Sequence, residues 1–173
     1  MHTVTLFICM NPQYKHIFNR ANIDLSTINS ALDIGCGEGK FANFLDENGI
    51  KVTAIDIEDA PYLRPNVIFK RNRFEDFETD QVFDLVHARH VVPFMENKPE
   101  QVRRMLTMGK YVLFTFFGPN DPWQNLSISK EEILEALHDV TILYISEEEF
   151  IGPKMDGGMK PWHIFTVVFK TNL

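Results

Sequence analysis

The stretch Ala31-Leu32-Asp33-Ile34-Gly35-Cys36-Gly37-Glu38-Gly39 decides how this chain is read. Ala31 to Ile34 is a short apolar run ending at a glycine cluster, the pattern of a buried parallel strand. Lys40 to Asn48 then carries Phe41, Phe44 and Leu45 at helical spacing, and Gly49 stands where a C′ glycine stops a helix. Between strand and helix, glycine at alternating positions lets the backbone turn tightly and approach a ligand without Cβ interference. The helix that opens just afterwards aims free amide N–H groups at that ligand.

Working outward, the same alternation repeats. Val52 to Ile55, Val67 to Phe69 and Val82 to Val86 read as strands, and Tyr111 to Phe117 as a strongly β-prone fifth. Pro99 opens a helix with Val102, Met105 and Leu106 on one face and Gly109 closing it. Ser129 and Glu132 form a capping-box pattern, with Ile128 and Ile133 as the hydrophobic staple, and this helix runs to about His138. The last strands, Val140 to Ile145 and His163 to Lys170, are separated by Glu147 to Glu149 and the loop at Gly157 and Gly158. No helical segment divides them, so they read as antiparallel neighbours. Ahead of all this, Asn11 to Ile28 predicts a short helix with a loop, part of an N-terminal extension (1–28) packed on the domain. The whole, 1–173, is one α/β domain with a mostly parallel sheet and an antiparallel edge.

Composition agrees. The chain has 173 residues, room for one domain, with 45% apolar and 24% charged residues. Lysine and arginine total 17 against 24 acids, a formal charge of −7. That balance argues against a broad phosphate-binding surface and makes nucleic acid a poor partner. Cys9 and Cys36 cannot build a disulfide framework, and neither has the company of a metal site. A reduced, cytoplasmic setting follows. No apolar run reaches the roughly 18 residues of a membrane span. Val4 to Met10 lacks a basic region and a cleavage site, so it does not read as a signal peptide, and Met10 is an alternative start.

Spacing decides what the glycine turn could hold. G-x-G-x-x-G, the dinucleotide fingerprint, fails because Lys40 stands where the third glycine should be, and the phosphate-loop pattern fails because Phe41 follows Lys40. The pattern is G-x-G-x-G with Asp33 two residues ahead, able to face a cationic group on the ligand. Asp56, ending the second strand, is placed for a ribose diol, since a carboxylate accepts from both vicinal hydroxyls. A glycine-rich turn with no ligand is the plainer alternative; the coincidence of strand, turn, helix and downstream acid weighs against it.

At these residues the chain resembles the class I S-adenosylmethionine-dependent methyltransferases. ALDIGCGEGKFANFL looks like their first motif, VTAIDIED like the second and FDLVHARHVV like the fourth-strand motif. The resemblance implies a Rossmann-like seven-stranded sheet, helices on both faces, with the last strand inserted antiparallel, and S-adenosylmethionine as cofactor. It makes Asp33, Gly35, Cys36, Gly37 and Gly39 neighbours of the methionine part, with Ala88 and Arg89 after the fourth strand. It gives Asp56 the ribose hydroxyls and sets Ile57 on the adenine. Family members often carry an acid after the third strand for the adenine amino group. This chain has Asn72 and Arg73 there, so Asn72, backbone groups of Arg73 or Phe74, or else Asp76 takes that contact.

Methyl transfer needs the acceptor in line and little else, and a general base only where the acceptor arrives protonated. His90 is the candidate base; a solvated or capped histidine is the plainer alternative. Phe117, Trp123 and His163, with His90, are the candidate acceptor contacts, at the carboxyl ends of strands where such folds bind ligands. Asn120-Asp121-Pro122-Trp123 imitates an amino-methylation motif but follows the wrong strand, and reads as a turn opened by Asp-Pro. FFGPNDPW with KPWHIF resembles the small bacterial methyltransferases grouped with tellurite-resistance and thiopurine enzymes. The chain has no separate recognition domain, which favours a small-molecule acceptor in a pocket roofed by loops. An RNA or protein methyltransferase relying on a partner, and a cofactor-binding module without catalysis, are the alternatives. Oligomeric state is not legible.

Overall fold

Ser30–Ile34 (β1) is the spine of the sheet, with Ala31 and Leu32 wholly enclosed. The other strands are Lys51–Asp56 (β2), Ile68–Arg71 (β3), Phe83–Ala88 (β4), Gly109–Phe117 (β5), Thr141–Pro153 (β6) and Met159–Lys170 (β7). Met10–Arg20 (α1), Lys40–Glu47 (α2) and Lys98–Met108 (α3) are helical. This is a computed structural model, and it describes residues 10–123, 131, 137, 140–154 and 157–173. The capping box at Ser129 and Glu132, its staple at Ile128 and Ile133, and the stretch 1–9 lie outside the described residues.

The strands form one seven-stranded sheet in the order β3-β2-β1-β4-β5-β7-β6. β3, β2, β1, β4 and β5 pair in parallel, and β7 pairs antiparallel with both β5 and β6. From β1 the chain winds outward in one direction and from β4 in the other, which opens a crevice at the carboxyl ends of these two strands.

Side chains alternate across each strand, so the sheet divides two cores. One holds Leu32, Val86, Val112 and Phe114 against Val102 and Met105 of α3. The other holds Ala31, Leu85, Leu113 and Val168 against Phe41, Phe44 and Leu45 of α2 and Tyr14 and Phe18 of α1. These two rings, with Ile17 packed beside them, attach helix α1. Tyr14 meets the Phe41 ring edge-on at 4.7 Å and lies 5.5 Å from Phe44. Fully burying rings of this kind contributes about 2 kcal/mol or more apiece.

Several expectations change at their boundaries, the third and last strands among them, which run over Ile68–Arg71 and Met159–Lys170. Gly109 does not end α3 as a turn glycine: its φ is −141° and it opens β5. The absent side chain matters there because a Cβ would lie 2.6 Å from Val86 Cγ2. Glu147 to Glu149 do not divide the last strands but lie within β6, paired with Phe165, Ile164 and His163. Their charges are tolerated because β6 is the edge strand, where exposed acids also discourage unwanted pairing. β4 runs to Ala88, two residues further than its apolar pattern suggests. Among the described residues no helix is long and apolar enough to cross a membrane.

Candidate active site

The chain leaves β1 through the glycine loop, where Gly35, Gly37 and Gly39 have φ of 67°, 51° and 79°. At Gly35 and Gly39 a Cβ would collide with Val91 at 2.7 Å and Leu63 at 2.3 Å. At Gly37 a Cβ would meet nothing within 4 Å, so that position faces open space from a backbone conformation natural to glycine. The loop is pinned by Gly35 and Cys36, whose N–H groups donate to the Ile55 carbonyl at 2.8 and 3.1 Å.

Asp56, half-buried at the end of β2, accepts from the Gly37 N–H at 2.8 Å through one carboxylate oxygen and from the Glu58 N–H at 3.0 Å through the other. Each oxygen retains acceptor capacity beyond that amide. Ile57 beside it is 57% exposed, an apolar surface next to an acid. The Asn72 N–H donates to the Asp56 carbonyl at 2.9 Å, which brings the segment after β3 to the same edge, and the Asn72 side chain donates to the Asp76 carbonyl at 3.4 Å. Arg73 is exposed, 4.0 Å from Glu96. Phe74 turns into the core, its carbonyl accepting from Arg104 at 2.5 Å, and Ala88 is fully buried. Hydrogen bonds thus bring Gly37, Asp56 and Asn72 together at the carboxyl ends of the strands, with Ile57 exposed beside them and Phe74 and Ala88 buried.

The residue across the sheet from Asp33 was not foreseen. Register pairs Asp33 of β1 with His87 of β4, and Asp33 Oδ1 lies 2.6 Å from His87 Nδ1, both residues buried. The imidazole stacks on Phe41, ring centres 3.7 Å apart. Asp33 Oδ2 is buried and has no partner among the described residues. An acceptor oxygen left bare at the root of the glycine loop suits a cationic group such as a methionine ammonium. With Asp56 poised over open space at Gly37, the residues fit S-adenosylmethionine. Cys36, in the same loop, is an inert thiol: burial, with Asp33 and Asp56 nearby, pushes it up to about 12.

Beside the dyad lies a cavity of about 80 Å³ between α1 and the carboxyl ends of β4 and β5 with the β7–β6 hairpin. Tyr14, His87, Arg89, His90, Thr115 and Ser146 are among its polar lining, to which His16 and Glu148 also belong. His90 has φ of 58°, and its N–H donates to Thr115 Oγ1 at 2.8 Å. Arg89 Nε donates to His90 Nε2 at 3.1 Å, so the ring proton sits on Nδ1, 3.4 Å from Thr115 Oγ1. Burial, then the positive charge of Arg89, lowers His90 to about 3, so the ring is neutral at ordinary pH.

His90, Phe117 and Trp123 do come together. Phe117 lies 6.4 Å from His90 and 5.6 Å from Trp123, with Trp162 joining both. Inside this group sits Lys160, its ammonium 3.9 Å from the Trp162 ring centre and 4.1 Å from that of Trp123, and paired with the buried Asp121. Asp121 also opens the turn at Pro122, accepting from the Trp123 N–H at 3.0 Å. His163 points to the opposite face. Its Nδ1 accepts from the Asn120 N–H at 3.0 Å, so Nε2 holds the proton and donates to Glu147 at 2.9 Å. Nothing local in the sequence marks Lys160 and Asp121 as a pair. His87 did leave a trace, a titratable side chain following the apolar pair Leu85 and Val86 within a buried strand.

The seven-stranded sheet with its antiparallel seventh strand and the glycine loop are those of class I S-adenosylmethionine-dependent methyltransferases. A model of the methyltransferase-domain family matches residues 10–143, and the chain belongs to that family. It is 33% identical over 89 residues to a ubiquinone biosynthesis O-methyltransferase of Rickettsia conorii, a match covering 46% of this chain and 30% of that relative. In fold it is similar to TehB from Haemophilus influenzae, with a TM-score of 0.75 at 16% identity over 91% of this chain and 62% of that one. It is similar also to the N-methyltransferase NodS from Bradyrhizobium japonicum WM9 in complex with S-adenosyl-L-homocysteine, with a TM-score of 0.70 at 16% identity over 98% and 90% of the two chains.

Proposed function

We propose that this chain transfers a methyl group from S-adenosylmethionine to a small molecule held in the cavity under α1. The observation that carries the reading is continuity. Asp33, at the root of the glycine loop, touches His87, which lines that cavity, so a cofactor site and an acceptor site share a wall. The cofactor supplies an activated methyl group on a sulfonium. The chain's own part is to hold and orient. Asp56 takes the ribose hydroxyls, Ile57 and Asn72 the adenine edge, and the unmet Asp33 oxygen the ammonium. The cavity then fixes the acceptor and excludes water.

A small acceptor is supported by the lining, largely apolar with a few polar groups, and by the arginines outside it. Arg71 lies 3.5 Å from Asp59 and 3.9 Å from Glu58, Arg73 is beside Glu96, and Arg104 donates to the carbonyls of Phe74 and Phe77. With charges so partnered they present little to a nucleic-acid backbone, and a cytoplasmic setting without a membrane partner goes with this reading. The ubiquinone-pathway relative is in keeping with it.

Calorimetric titration with S-adenosylhomocysteine tests the proposal. Wild type binds; Asp56→Ala loses about tenfold or more, the worth of a charge-assisted hydrogen bond. Gly37→Val places a branched side chain in the open space at φ of 51° and abolishes binding. Equal affinity in all three proteins would refute the site.

A further inference from the structure

The structure assigns His87, held by Asp33, as the proton acceptor of the reaction, and so a hydroxyl as the group methylated. The inference rests on the methyltransferase reading and goes beyond it to a catalytic residue and a substrate class. Asp33 Oδ1 lies 2.6 Å from His87 Nδ1, and facing a carboxylate, which only accepts, that nitrogen carries the ring proton. His87 Nε2 is then a bare lone pair. The residue is 3% exposed, Nε2 has no partner among the described residues, and the side chain lines the cavity. Leaving a buried acceptor unmet costs about 1–3 kcal/mol, and in a site such orphans mark where a partner arrives.

His90 contrasts with it at every point. Its Nε2 is taken by Arg89, its Nδ1 faces Thr115, and its backbone is fixed by a further bond to Thr115. Of the two histidines at the end of β4, His87 alone among the described residues has a free nitrogen with a carboxylate behind the ring, whereas His16 of α1, which also lines the cavity, is exposed. Asp33 is a positioning residue for it, fixing the tautomer and facing the charge that develops. The stack on Phe41 fixes the plane of the ring.

A fixed base of this kind helps an acceptor that arrives protonated and weakly acidic. A hydroxyl fits, and the neighbouring lining agrees. Arg89 Nη1 and Ser146 Oγ are also buried, without partners among the described residues, on side chains lining the same cavity, so a hydroxyl oxygen can accept there while its proton goes to His87. In the step, the acceptor oxygen's lone pair forms the new C–O bond. The C–S bond breaks with its electrons left on sulfur, and the O–H proton passes to His87 Nε2. The positive charge thus ends on the imidazolium, against Asp33.

Nitrogen-15 NMR of imidazole-labelled protein without cofactor, near neutral pH, decides the tautomer. The expected signals are a protonated Nδ1 with a strongly downfield proton and an unprotonated Nε2, both absent in His87→Gln; the downfield proton is lost in Asp33→Asn. A wild-type His87 protonated on Nε2 overturns the inference. Calorimetry with S-adenosylhomocysteine runs alongside. If wild type does not bind, the methyltransferase reading fails; if it binds but the tautomer is wrong, only the base is lost. Transfer of a labelled methyl group to phenol, aniline and thiophenol adds the rate. His87→Gln should lower kcat on phenol about a hundredfold or more with KM little changed, and His87→Gln with wild-type kcat on phenol would also overturn the inference. The imidazole signals decide whichever probe turns over.

Discussion

At the scale of the residue, burial rather than identity sets the chemistry of the three histidines near the carboxyl ends of the strands. At His163 a backbone N–H from the turn after β5 occupies Nδ1, leaving Nε2 to donate to Glu147. His90 is neutral because burial and Arg89 oppose its charge. The unfolded chain takes up a proton at His90 below about 6.5, while the folded chain refuses it until about 3. Stability carried by this residue is therefore fully present above 6.5 and drains away as the pH falls toward 3, amounting to about 2 kcal/mol by the middle of that window. Urea unfolding in mildly acid buffer should show this loss in wild type and a smaller one in His90→Asn, a side chain that tolerates the positive φ. Equal acid sensitivity in the two proteins would count against it.

At the scale of the element, the junction of α3 and β5 shows how a helix-stop glycine can serve packing instead. Gly109 lets β5 leave the helix directly and lie against Val86 of β4. Gly109→Ala should lower stability by about 1–3 kcal/mol through overpacking, read as a lower urea midpoint with an unchanged slope; an unchanged midpoint would mean that Val86 gives way freely. The glycine loop was legible because a strand end, three glycines and a helix start are all local signals. The length of the β6–β7 hairpin was not, because Glu147 to Glu149 look like a loop until β7 supplies the partner strand and His163 and Asn120 supply partners for Glu147 and Glu149.

At the scale of the whole molecule, the segment after β5 is locked to β7 by one buried ion pair. Asp121 is completely buried, Lys160 is 6% exposed, and aromatic rings surround the ammonium. Asp121→Ala leaves that charge unmatched and should cost about 3–5 kcal/mol. Adding Lys160→Met to it should restore part of the loss, because the stranded cation is gone while the rings still pack. A double-mutant cycle on Tm measures this, and strict additivity would show that the pair does not couple.

By itself the sequence determined the alternation of strands and helices, the glycine loop with Asp33 and Asp56, and through them the family, because each depends on residues close together in the chain. Only the tertiary structure decided that Asp33 meets His87, that Thr115 of β5 fixes His90, and that α1 roofs a cavity against β4, β5, β7 and β6. Those contacts join residues separated by the length of whole elements or lie between faces of different strands. They follow from strand register and the side to which each side chain points, and neither is written in any local run of residues.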